Sequence, residues 1–135
     1  MADLMMEMYE AFKADPELSQ HVKIIKFFDY PNANDIKDPI IVIDDLTTPI
    51  PQDFADNDYL SHQFIFQVDL FVKQNTGING RLLSSRLIQR VQRIMWERFG
   101  FSVNMSGKPE YLKDFNLYHQ TITFTGKKYI NEMEQ

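Results

Sequence analysis

From His62 to Lys73 the even positions carry Phe64, Phe66, Val68, Leu70 and Val72, while Gln63, Gln67, Asp69 and Lys73 make the odd positions mostly polar. A period of two in β-branched and aromatic residues predicts a strand with one buried face. Ile65 and Phe71 interrupt the polar row, so the second face is expected to be partly covered as well. Beyond the turn-rich residues 75–80, Leu83, Leu87, Val91 and Ile94 recur at spacings of four, four and three, and Ile88 and Met95 widen the stripe. That pattern predicts an amphipathic helix over residues 81–99, with Asn75 and Asn79 as candidate caps and Gly100 as a left-handed stop. Phe101 is expected to fold back on Trp96 at that stop. The strand and the helix bury their apolar faces by packing on each other.

Upstream, Leu4, Met5, Met8 and Phe12 share one side of a helix over residues 2–14, and Asp15-Pro16 opens one further turn. Residues 22–28 and 39–44 predict two strands, the second apolar through Ile40, Ile41, Val42 and Ile43, with turn chemistry at Asp29-Tyr30-Pro31-Asn32 between them. Residues 46–60 show no periodicity, hold Pro49 and Pro51, and predict a long loop of the kind that is functional or disordered. Downstream, residues 101–105 predict a short strand, 106–109 a turn, and 117–125 a last strand in which Tyr118, Gln120, Ile122 and Phe124 alternate with His119, Thr121, Thr123 and Thr125. Gly126 onward reads as an extension and residues 131–135 as a polar tail. The expected fold class is α+β: a mainly antiparallel sheet with one long helix packed across it and an N-terminal helix, in the order α-β-β-β-α-β-β. Residues 1–130 form a single domain in this reading, since 135 residues bury about two thirds of the unfolded surface in one core.

Charge and cysteine usage narrow the function classes. A net charge of -5 argues against general nucleic-acid affinity, which needs clustered cations. The absence of cysteine excludes a disulfide framework and thiolate metal sites. No apolar run approaches the roughly 18 residues of a membrane span and no leader pattern opens the chain, so a soluble, intracellular product is expected.

Little in the chain carries reaction chemistry. No phosphate-binding glycine loop, His-Glu helix pair or serine elbow occurs, and His21, His62 and His119 lack ligand spacing. Asp44, Asp45 and Asp69 would hold Mg²⁺ if neighbouring strands gathered them, as in small nucleases; otherwise they end one strand and line the polar face of another. Arg86, Arg90 and Arg93 stand on the polar side of the long helix. They are solvated, or a phosphate-facing surface, or, the favoured functional reading, half of a subunit contact with carboxylates such as Asp35 and Asp38. The expectation is a protein that is not an enzyme and has no cofactor.

Tyr30-Pro31-Asn32 after an early strand, Asp38-Pro39-Ile40-Ile41-Val42, the long loop, Phe64-Ile65-Phe66-Gln67-Val68-Asp69, Arg86-Leu87-Ile88-Gln89-Arg90-Val91 and Trp96-Glu97-Arg98-Phe99-Gly100-Phe101 follow one another in this order. In order, length and texture the chain resembles the tail-terminator, or tail-to-head joining, proteins of long-tailed bacteriophages. The resemblance implies a structural virion protein made in the host cytoplasm and placed at the head-proximal end of the tail. There a hexameric ring caps the tail tube and meets head-completion or connector proteins, leaving a channel that DNA passes without specific binding. It also implies that the loop between the second and third strands is mobile in the free subunit and ordered in the ring. Alternatives are a head-side neck adaptor or a small metal-dependent phage nuclease. In a ring, Asp53, Asp56 and Asp58 would line the channel and repel phosphate, or else face solvent as ordinary loop acids. Ile65, Phe71 and Tyr118, with the three arginines, are candidates for subunit contacts, or for packing within the chain.

Overall fold

A computed structural model describes residues 3–75 and 77–130. Its centre is a pair of long antiparallel strands, β4 (Asp58–Lys73) and β7 (Leu117–Tyr129), in continuous register from Ser61↔Tyr129 to Lys73↔Leu117. Each long strand carries two short ones end to end on its outer side. β2 (Ile40–Asp45) and β3 (Ile50–Ala55) pair with β4, while β5 (Ser102–Ser106) and β6 (Glu110–Leu112) pair with β7. β1 (Ile24–Phe27) lies parallel to β2, the one parallel pairing among the described strands. The fold is α+β, with three helices on one face of this mixed sheet: α1 (Leu4–Ala14), α2 (Pro16–His21) and α3 (Gly80–Phe99).

Local chemistry explains the helices. Asp3, Asp15 and Asn79 each accept the amide of the residue three positions on, capping α1, α2 and α3. Gly100, at φ 70, ends α3 in the left-handed conformation, with amide bonds from Gly100 to Trp96 O and from Phe101 to Met95 O. Phe101 does not fold back on Trp96 as the dominant contact; it is buried on the sheet against Phe64 and Phe66, and Trp96 is exposed. Leu87, Val91, Ile94 and Met95 of α3 press on Phe66, Val68, Leu70, Ile122 and Phe124, and α1 adds Met8 and Phe12 to the same core. Gln120 donates to the buried Ser84 hydroxyl at 2.6 Å, so the one polar group on the buried face of α3 is satisfied by the sheet.

The connection from β1 to β2 crosses the other face of the sheet, the long route a parallel pair requires. It buries Ile36 with Ile40, Val42, Phe71 and Leu117 in a second, smaller core. β2 is therefore apolar on both faces, which is why its sequence shows no alternation.

Two expectations are corrected. Residues 46–60 are not a long loop: β3 and the start of β4 form a hairpin whose two-residue tip, Asp56-Asn57, has φ of 50 and 63. Two positive φ values in succession mark a type I′ turn, which Asp and Asn tolerate and which matches strand twist. The prolines concealed it, yet Pro51 sits on a strand paired on one side only, the setting in which sheets accept proline. The last strand also runs beyond residue 125, through Gly126 to Tyr129. With β3, β6 and the extra helix α2, the element order is longer than α-β-β-β-α-β-β. The polar tail at 131–135 lies outside the described residues.

Asp15 joins α2 to α3. Its Oδ2 accepts the Leu18 amide and its Oδ1 takes two hydrogen bonds from Arg90, at 2.7 and 2.9 Å, with the carboxylate buried. Burial alone would raise its pKa; the Arg90 and Leu18 bonds outweigh burial and hold it below the usual carboxylate range. Asp15→Ala is expected to cost about 1–2 kcal/mol through the lost cap, with Asp15→Asn falling between it and the parent in urea denaturation.

Candidate functional site

The densest polar cluster lies on the second face of the sheet, around Asp69 in the middle of β4. Asp69 is only 2% exposed, and both of its oxygens are occupied. Oδ1 accepts the Thr121 hydroxyl at 2.6 Å and His119 Nε2 at 2.8 Å; Oδ2 accepts Gln67 Nε2 at 2.8 Å and the Tyr30 hydroxyl at 3.2 Å. Antiparallel register makes this possible, since Asp69 stands opposite Thr121 and next to the Phe71↔His119 pair. The His119 ring stacks on Phe71 at 4.3 Å with 3° between the planes, and its Nδ1 lies 3.6 Å from Glu110. Tyr30 arrives from the β1–β2 crossover, and its hydroxyl also lies 3.3 Å from Asp44. Burial and the negative charges of Asp69 and Asp44 push the Tyr30 phenol up to about 12.

Burial would raise the Asp69 pKa, but the His119, Thr121 and Gln67 hydrogen bonds prevail and hold it below the usual carboxylate range. An ionised carboxylate only accepts, so His119 Nε2 and the Thr121 hydroxyl both direct their hydrogens at it. Thr121 also lies 3.2 Å from the same Nε2, which, with its hydrogen directed at Asp69, has no lone pair to take the Thr121 proton. The arrangement is therefore a satisfied buried network and not a nucleophile–base relay. It pins the crossover to the sheet.

The structure separates the three acids of the metal reading. Asp44 and Asp69 share the Tyr30 hydroxyl, while strand alternation turns Asp45, opposite Phe66, to the other face. Among the described residues no group of three or more His, Asp or Glu side chains could hold a metal ion.

The arginine stripe has carboxylates within its own chain. Arg90 is held by Asp15, Arg86 lies 3.5 Å from Glu17, and Arg93 lies 3.1 Å from Glu97. The last two pairs are exposed, a setting in which ion pairs contribute little and exchange partners readily. Phe71 is buried beneath the crossover, Tyr118 is half-buried beside the main core, and Ile65 is half-buried on the second face. Asp53, at φ 58, ties the base of the hairpin to β7: its Oδ2 accepts Lys127 Nζ at 2.8 Å and the buried Ser61 hydroxyl at 2.6 Å, the Lys127 bond being the main reason its pKa is lowered. Asp56 and Asp58, at the tip, are exposed. A groove of about 420 Å³ between α3 and β5 is lined by Gln89, Gln92, Arg93, Trp96, Phe101 and Val103.

Compared with known proteins, the chain matches no family model and no curated sequence. The geometry consequently carries the functional argument. The Asp69 network escaped the sequence reading because its members are polar residues at ordinary odd positions of two strands. The available signal was the coincidence of Gln67 and Asp69 on one strand with His119 and Thr121 on another, which only register converts into contact.

Proposed function

We propose that the chain is a structural, ring-forming subunit of a bacteriophage virion, a tail terminator that caps the tail tube and joins it to the head-side connector. The observation that carries this reading is the sheet's two lateral sides, both left open by the described residues. β5 ends one side and is exposed along its whole length; β1 and the outer edge of β3 end the other, and apolar side chains stand exposed on both sides. Different surfaces on opposite sides of one subunit make heterologous contacts, which close into a ring when the rotation allows. The phage-tail resemblance supplies the identity of the ring and its expected six copies. The hairpin at residues 50–60 occupies the place of that family's mobile loop, and a net charge of -5 suits a channel that DNA must leave without adhering.

Native mass by light scattering, with negative-stain imaging in the presence of tail-tube protein, tests the reading. Closed rings, free or capping tubes, are expected. A chain that stays monomeric and leaves tube assembly unchanged overturns it.

A further inference from the structure

We infer that the contact between copies forms when the acidic hairpin of one subunit docks on the β5 edge of the next. In this contact Phe54 is seated in the Trp96–Val103 groove, and Asp56 and Asp58 face Arg93 and Lys108. The inference rests on the ring reading, and it assigns Asp56 and Asp58 to the subunit contact in place of the channel wall.

Three observations select these surfaces. The first is where the apolar exposure lies. Phe54 on the hairpin is 72% exposed, the highest value among the large hydrophobic residues described, and Trp96, which lines the α3–β5 groove, is 56% exposed. Val103, also exposed, stands with Trp96 in the groove, while Met105, opposite Thr123, is exposed on the other face of β5. Clustered apolar exposure of this kind marks an interaction surface.

The second is charge. β1, the other open edge, has Lys23 just before it and Lys26 within it, the latter 3.5 Å from Asp29, and β5 is flanked by Arg93 in the groove and Lys108 just beyond its end, so the β1 edge offers β5 less charge complementarity than an acidic surface does. The hairpin tip is acidic. Its base charge, Asp53, is already neutralised by Lys127, which leaves Asp56 and Asp58 to meet the cations of a neighbour. Arg93 exchanges its exposed bond to Glu97 at little cost.

The third is backbone. Among the described strands β3 pairs with β4 alone and β5 with β7 alone, so both offer unpaired N–H and C=O groups, the requirement for strand addition. β4 and β7 lie between them, so one chain cannot satisfy both surfaces. A second copy can.

The lack of cysteine permits a direct test in the full chain. Phe54→Cys and Val103→Cys combined place thiols on strands separated by three spacings, about 14 Å, beyond the roughly 7 Å between Cα atoms that a disulfide spans. Any disulfide therefore links two copies. Oxidation of the assembled protein is expected to convert most of the chain into a ladder that ends at the ring's copy number, whereas Ile24→Cys with Val103→Cys gives none. Separately, Asp56→Lys with Asp58→Lys is expected to weaken assembly about tenfold or more, and adding Arg93→Glu with Lys108→Glu to recover it. If the parent chain forms rings but the first cysteine pair does not crosslink and charge reversal leaves assembly intact, this contact is wrong and the ring reading stands. If the parent chain is monomeric with and without tube protein, the ring reading falls and takes this contact with it.

Discussion

Gly126→Val is expected to destabilise the protein by about 3 kcal/mol, near the upper end of overpacking effects. Gly126 lies in the interior of β7 opposite Phe64, where glycine has no conformational role to explain it. Space explains it: a Cβ built there would stand 2.2 Å from Phe101 Cδ1 and 2.5 Å from two further ring carbons. Phe101 covers that position completely, packed between Phe64 and Phe66 just past the end of α3. A valine evicts the ring, and because Phe101 follows Gly100 directly, the end of α3 must move with it. Phe101→Ala alone is expected to cost about 3–5 kcal/mol. The double variant should cost clearly less than the sum, since the three atoms nearest the new Cβ all belong to that ring. Urea denaturation of the four proteins reads this coupling, and strict additivity would show that the contact is unimportant.

Asp69→Asn is expected to cost about 2–4 kcal/mol, because the new amide presents hydrogens to a shell in which Thr121, His119, Gln67 and Tyr30 already donate. The size difference is negligible, so the loss isolates the hydrogen-bond pattern. The pH dependence supplies an independent check. The folded pKa of Asp69 is depressed, so its contribution is present above the unfolded value of about 3.9 and is lost as pH falls through the folded value. The stability gap between parent and Asp69→Asn is therefore expected to be constant from neutral pH to about pH 5 and to narrow below about pH 4. A gap that widened on acidification would mean that the carboxylate is not ionised in the folded protein.

Both predictions concern residues whose partners are distant in sequence, and this divides what the chain displays locally from what it does not. The stop at Gly100, the caps at Asp15 and Asn79 and the apolar stripe of α3 are legible because each is settled within one or two helical turns. The alternation of β4 marks its buried face for the same reason. The hairpin was missed because Pro49 and Pro51 outweighed the Asp56-Asn57 turn signal in a stretch whose side chains are mostly exposed and so lack alternation. The arginine stripe was recognised as a polar helix face, but its partners were not, since Arg90 reaches back 75 residues to Asp15.

Sequence alone thus determined the helices, the stop of α3, the central part of each long strand and the α+β class, all of which follow from the period of apolar positions and from short-range capping. The tertiary structure decided which polar residues meet. Asp69 is joined to Tyr30, His119 and Thr121 across separations of 39, 50 and 52 residues, and those contacts exist only once β4 and β7 have paired in one register and the crossover has closed over them. It decided equally that Phe54 and Trp96 would stand exposed on opposite sides of the sheet, because burial depends on what packs above a residue and not on its own hydrophobicity.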